Sequence, residues 1–243
     1  MTGRRLTQNL QVYCLDRAPE PSAEYNEALS RVKPEWGGSL NYVRTDVSDT
    51  THLDSVISEI ADKNQRFDGL MAAAGIQQIT PAAEYTSDDL MKMMSVNYQG
   101  VFMSATSAAR NMTKYGCHGS IVFIASMSGI IANKGLLSPV YNSSKAAVIQ
   151  LARNLAMEWS SIKEDGTGGI RVNCISPGHV VTPMIDQTLK DTPGLRETWE
   201  RENMMHRLGR PEEFKSAGLF LLSRASSFMT GNNLVIDGGH TGW

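Results

Sequence analysis

The sequence predicts an α/β fold built on a doubly wound parallel sheet, in three α/β/α layers. Two observations predict it. Six short runs along the 243 residues carry apolar residues on both faces, as strands covered on both sides require. Most of the segments between them are long enough for a helix, so the connections are crossovers and the strands lie parallel. No repeat or low-complexity linker interrupts the alternation, and the length suits one domain over 1–243.

In chain order, LQVYCL (10–15) and LNYVR (40–44) are the first two strands. Asp49 offers a carboxylate to the free N–H groups at the start of a helix over 51–64. DGLMAAA (68–74) is the third strand. Thr86-Ser87-Asp88-Asp89 opens a long helix through about 114, ended by Gly116, and its Met-rich LMKMMSVN (90–97) reads as core filler. SIVFIAS (120–126) is the fourth strand, and a helix from Tyr141 to about Ser161 closes at the glycines of EDGTGG (164–169). IRVNCIS (170–176) follows. Pro211-Glu212-Glu213 makes a first turn for a helix through Leu222, because proline needs no hydrogen bond there and acids complement the dipole. NLVIDG (233–238) is the last strand.

Composition excludes several function classes. A formal net charge of −2 gives no electrostatic case for nucleic acid or an anionic membrane as partner. No segment reads as a leader or a membrane span, so a cytoplasmic, reducing setting is expected. Cys14, Cys117 and Cys174 lack ligand spacing, and Cys14 and Cys174 read as reduced core thiols. His52, His118, His206 and His240 show no metal spacing, and no metal is expected; His179 reads as a loop histidine facing solvent. A Ser-His-acid hydrolase is excluded because no Gly-x-Ser-x-Gly elbow occurs.

The chemistry concentrates in SIVFIASMSGIIANKGLLSPVYNSSKAAVIQLARNLAMEW (120–159). A strand delivers Ser126 at its carboxyl end, and Tyr141 and Lys145 open the next helix four residues apart, on one face. Free tyrosine, with a pKa near 10, is a poor proton-transfer group at neutral pH; an adjacent ammonium is expected to lower that value. Ser126 is placed to donate to an oxyanion forming on a substrate.

With the preceding strand and upstream serine, these residues resemble the short-chain dehydrogenase/reductase family, from about Val12 to the C-terminus. The resemblance implies a Rossmann-like fold, NAD or NADP as cofactor, and interconversion of a secondary alcohol and a ketone. It implies catalytic roles for Ser126, Tyr141, Lys145 and Asn97, the last in SVNYQG (95–100). Ser128 stands at the family's commonest distance from the tyrosine, but Ser126 ends the continuous strand and is preferred. Asp16 is similar to the acid that grips the adenosine ribose and favours NAD, a preference Arg17 softens. Asp46-Val47 resembles the adenine-contacting pair, and AAAG (72–75) the segment that packs on the cofactor through Ala74 and Gly75. Lys145 and Tyr141 also face the nicotinamide ribose in that family. Pro177, Gly178 and Thr182 of PGHVVT resemble the loop that contacts the nicotinamide.

AAAGIQQ, SMSGIIANKG and YNSSKAAVIQLARNLAMEW look most like fungal arabinitol dehydrogenases and sorbose or xylulose reductases, which points to a polyol or ketose substrate. Family members associate through the helices here at 86–115 and 141–161, so a homodimer or homotetramer is expected.

One departure is large. The family's first strand and its glycine-rich, phosphate-cradling turn are expected before VYCLD, yet only MTGRRLTQNLQ precedes it, with Gly3 its one glycine. The fold is therefore expected to be N-terminally truncated. The strands at 10–15 and 40–44 then pair directly with that at 68–74, leave a groove, or are loose. Two functional classes follow: an oxidoreductase, or a cofactor-deficient relative acting as a binding or assembly subunit.

Overall fold

The structure is a computed structural model that describes residues 10–33, 35, 37–182, 185, 189–190 and 192–243. Its strands are β1 (Gln11–Asp16), β2 (Ser39–Arg44), β3 (Gly69–Ala72), β4 (Ser120–Ile124), β5 (Arg171–Pro177) and β6 (Asn233–Ile236). Its helices are α1 (Ala23–Ser30), α2 (Thr50–Asn64), α3 (Ser87–Met94), α4 (Val101–Lys114), α5 (Pro139–Trp159), α6 (Leu195–Glu202) and α7 (Lys215–Leu222). Every strand pairing is parallel, as the crossovers require.

The described strands fall into two sheets, β1-β2 and β3-β4-β5-β6. Of the three outcomes open to the strands at 10–15 and 40–44, direct pairing with β3 is not the one adopted. Helix packing joins the two parts instead. Asp54 of α2 accepts from Ser107 and from Arg110 of α4, and Asp62 accepts from Lys114 and Tyr115. Gly100 sits so close to Val47 that an added Cβ would come within 2.8 Å of its side chain.

The core lies around β4 and β5. Ile121 and Phe123 of β4 meet Ala105, Ala108 and Met112 of α4 and Val148 and Ala152 of α5. Val122, between them in sequence, packs on the opposite face with Ile175 and Leu221 of α7. That is the alternation of a strand covered on both sides. By contrast, no residue of β1, β2 or α1 is fully buried. Cys174 is a core thiol, which burial pushes up to about 12; Cys14 is only half-buried, because β1 has a neighbour on one side alone.

Several boundaries differ from expectation. Asp49 and Thr86 cap α2 and α3 by accepting from His52 N and Asp89 N, both at 3.1 Å. The long helix after Thr86 is interrupted by a π-helical turn over Ser95–Gly100. The helix at Pro211 begins as a 3₁₀ turn, Pro211–Phe214, before α7. β4 ends at Ile124, two residues before Ser126, although Ala125 still donates to Ile175 O at 2.8 Å.

Candidate active site

Each site residue is placed by an element end. Beyond β4, Ser126 is extended and caps the 3₁₀ turn Met127–Gly129, its Oγ accepting from Ser128 N at 3.1 Å. Proline in the first turn of α5 sets that helix to begin at Pro139, which puts Tyr141 and Lys145 in its opening turns. The turn and the helix touch backbone to backbone: a Cβ on Gly129 would lie 2.7 Å from Ala146 N and from Lys145 C. No side chain fits between them.

The Ser126 hydroxyl stands close enough to the Tyr141 phenol to act on its pKa. The Ser128 hydroxyl is instead taken by Asn133, which donates to it at 2.6 Å. Lys145 is buried, donates to Ile124 O at 2.8 Å, and has its Nζ 5.7 Å from the centre of the Tyr141 ring. Burial lowers its pKa to about 8, so the ammonium form still predominates at pH 7. The expected lowering of the tyrosine does not hold in this arrangement. Burial pushes the Tyr141 phenol above its ordinary value, and the nearby Ser126 hydroxyl only opposes that rise. The nearby ammonium spends its hydrogen bond on a backbone carbonyl.

Asn97 lies inside the π-helical turn and is fully buried. Its Oδ1 accepts from Ile76 N at 2.8 Å, while Nδ2 donates to Ile76 O at 2.9 Å and to Ser144 Oγ at 3.1 Å. The extra residue of a π turn widens the helix locally, a feature concentrated at functional sites. Ser144 then donates to Tyr141 O at 2.7 Å, tying this turn to the first turn of α5. The sequence reading missed Ser144; its one signal was a small polar residue just before the lysine on a helix start. Ser144→Ala leaves a buried Asn97 donor without its partner and is expected to cost about 1–3 kcal/mol. Chemical denaturation measures it, and a change below about 0.5 kcal/mol would contradict the coupling.

The remaining expected site residues flank this cluster. Gly75 approaches so closely that a Cβ there would lie 3.4 Å from Lys145 Nζ and 3.5 Å from Asn97 Oδ1; Ala74 beside it is exposed. Pro177 ends β5, and Gly178 donates to Ile236 O at 3.0 Å. A Cβ on Gly178 would lie 2.6 Å from Asp237 Cα, so only glycine fits. Thr182 accepts from Ile185 N at 3.4 Å. His179 corrects its reading as a solvent-facing histidine: it is 7 % exposed and stacked on Trp199 at 3.7 Å. A partner from α6 twenty residues along cannot be read from the local sequence.

At the other end, beyond β1 and β2, Asp16 is exposed and accepts from Ala18 N at 2.8 Å. Asp46 accepts from Ser48 N and Oγ, which holds its carboxyl below the usual range. Arg17, Arg44, Asp46, Asp49 and His52 line a cavity of about 480 Å³ there. The residues present thus fit a nicotinamide dinucleotide at its two ends, the close-packed Gly75–Lys145–Asn97 cradle and this polar cavity. Between them the described residues hold no glycine-rich turn, and residues 1–9 lie outside the described set.

Comparison with known proteins agrees with this architecture. A family model described as enoyl-(acyl carrier protein) reductase matches residues 7–241. The short chain dehydrogenases/reductase notP′ of Aspergillus versicolor is 39% identical over 239 residues, 98% of this chain and 81% of that protein. D-arabinitol 2-dehydrogenase [ribulose-forming] of Scheffersomyces stipitis is 36% identical over 208 residues, 85% of this chain and 73% of its own length. A short-chain type dehydrogenase/reductase from Mycobacterium marinum superposes with a TM-score of 0.84 at 31% identity, over 95% of this chain and 85% of that one. A gluconate 5-dehydrogenase from Burkholderia cenocepacia, solved with NADP and tartrate, superposes with a TM-score of 0.82 at 29% identity, over 95% and 85%. The match along nearly the whole chain, in sequence and in fold, places this protein in the short-chain dehydrogenase/reductase family of oxidoreductases.

Proposed function

We propose that this chain reduces a ketose to a polyol, or runs the reverse, at the cluster of Ser126, Tyr141, Lys145 and Asn97. The observation that carries the reading is that cluster: Ser126 stands at the Tyr141 phenol, Lys145 Nζ lies 5.7 Å from the Tyr141 ring centre, and Asn97 is tied through Ser144 to the Tyr141 carbonyl. The names of its relatives support sugar alcohols and sugar acids as the substrate class.

The chain's own groups divide the work. With its pKa raised by burial, Tyr141 is protonated at neutral pH, the state needed to donate to a carbonyl oxygen as it becomes an alkoxide. Ser126 orients that oxygen and shares the developing charge. Lys145, still cationic at pH 7, stabilises the phenolate left behind; its share fades as pH rises through about 8. Asn97 and Ser144 hold these groups in register through Ile76 and the Tyr141 carbonyl. A bound nicotinamide dinucleotide supplies the hydride. Gly75, Lys145, Tyr141, Pro177, Gly178 and Thr182 hold its nicotinamide half, and Asp16, Asp46, Val47 and Ala74 the adenosine half.

Asp16 keeps one carboxylate oxygen beyond its bond to Ala18 N for a ribose hydroxyl, while Arg17 and Arg44 stand beside it for a phosphate. Asp16→Ala is expected to weaken NAD about tenfold and NADP less, as loss of a charge-assisted hydrogen bond implies. Equal binding constants for wild type and variant, measured with both cofactors, would remove Asp16 from the ribose site.

The primary test is titration with NADH and NADPH, followed by tryptophan emission and calorimetry, and then a screen of ketoses. Saturable binding with ketose reduction supports the enzyme; absence of binding at millimolar cofactor overturns it. One observation favours the second reading, a non-catalytic assembly subunit: among the described strands β1-β2 and β3-β4-β5-β6 are separate sheets. Under either reading the surface for self-association is that of α3–α4 and α5, where Leu90, Met91 and Met157 are exposed. Sedimentation at micromolar protein tests this.

A further inference from the structure

Three rings from three distant segments meet at the turn after β5. His179 follows Gly178 in the turn after β5, Trp199 lies on α6, and His240 belongs to the C-terminal turn. His179 stacks on Trp199 with ring centres 3.7 Å apart and planes 5° from parallel; His240 stands edge-on to His179 at 5.2 Å. Among the described residues, four side-chain polar atoms are buried without a hydrogen-bond partner. Three of them belong to this cluster: His179 Nε2, Trp199 Nε1 and His240 Nδ1. Buried polar groups are nearly always paired, so three orphans in one contact group mark a place built to bind something polar.

The charges around the cluster narrow the guest. Asp237, the carboxylate next to His240 in the C-terminal turn, already accepts from Gly239 N, Thr241 N and Thr241 Oγ1. Burial and the neighbouring His240 hold His179 neutral, with a pKa of about 3. A neutral imidazole offers one donor and one acceptor, and the indole offers a donor alone. Among the described residues the other charged side chains lining the pocket of His179, Arg207 and Glu213, pair with each other, while an apolar group leaves all three nitrogens unpaired. A hydroxyl, which both donates and accepts, matches the set.

The position fits a substrate. His179 stands three residues before Thr182, and α6 packs through Leu195 and Trp199 on Leu136, in the loop that leads into the helix of Tyr141. Resting on the ketose and polyol reading above, we infer that the His179–Trp199–His240 ring cluster is the subsite for a secondary hydroxyl of the substrate chain beyond the reacting carbon. The nitrogens are closed to solvent with α6 in its present position, so occupancy requires α6 to lift and close again over the chain.

The test is an NMR titration of the four indole N–H signals with D-arabinitol, the Trp199 signal being assigned by Trp199→Phe. A saturable shift of the Trp199 signal is expected in the wild type. His179→Phe keeps a stacked ring without nitrogens and is expected to weaken that binding at least tenfold. His240→Phe is the parallel variant if His179→Phe fails to fold. Absence of a Trp199 shift, or wild-type binding in both folded variants, overturns the inference and leaves the nitrogens to trapped water. The two readings fail separately. A saturable Trp199 shift in a chain that reduces no ketose keeps the subsite and removes the activity. Ketose reduction with an unchanged KM in His179→Phe keeps the activity and removes the subsite.

Discussion

Tyr141→Phe is expected to reduce turnover of any ketose or polyol by about 10²–10⁴-fold, the range lost when a positioned proton donor is removed. The change deletes one oxygen and leaves the ring over which Lys145 Nζ sits at 5.7 Å. The phenol's contact with Ser126 is also lost, so stability should fall by only about 1 kcal/mol. Cofactor affinity should change little by comparison. Steady-state kinetics with thermal unfolding separates these effects. A variant that keeps its rate within twofold would place proton transfer elsewhere, whereas a large loss of stability would make Tyr141 a structural residue first.

Gly129→Ala is expected to cause structural damage out of proportion to a single methyl group. The new carbon would lie 2.7 Å from Ala146 N and Lys145 C and 2.9 Å from Lys145 O, all backbone atoms of α5. A flexible side chain could turn away, but a helix backbone moves only as a unit. Overpacking of this kind costs about 1–3 kcal/mol, which for a chain of this size lowers Tm by several degrees. Activity should fall further than stability, because the atoms displaced belong to the residue that carries the ammonium. Gly209→Ala is the control, since its added carbon meets nothing closer than 3.6 Å. Equal melting temperatures for the Gly129 variant and the wild type would mean that the turn and α5 are not in contact as described.

Much of the fold could be read in advance because it rests on local rules. Asp49 and Thr86 cap helices through their own backbone neighbours. Ser120–Ile124 and Arg171–Pro177 carry apolar residues on both faces because both faces are covered, by α4 and α5 on one side and α7 on the other. Tyr141 and Lys145 share a face because a helix turns once in 3.6 residues. The family's resemblance added the partners that spacing alone does not supply, Asn97 above all.

What escaped the reading was long-range. The linkage to Tyr141 runs through Ser144, which Asn97 reaches across 47 residues of chain. The burial of His179 depends on rings from α6 and the C-terminal turn, and a single polar residue in a loop looks the same whether water or an indole covers it. The sign of the Tyr141 shift was misjudged for a related reason. Spacing says that an ammonium is near, but only the packing says how much water has been removed from both groups.

By itself, then, the sequence determined the strand and helix order, the caps, the parallel connections and the shared face of Tyr141 and Lys145, all set by neighbours within about one helical turn or one strand length. Only the tertiary structure decided that the strands divide into two sheets joined through α2 and α4, that Asn133 takes the Ser128 hydroxyl, and that three unpaired ring nitrogens collect around Trp199 of α6. Those outcomes depend on which distant surfaces exclude water from one another, and burial of that kind has no local signature in the order of the residues.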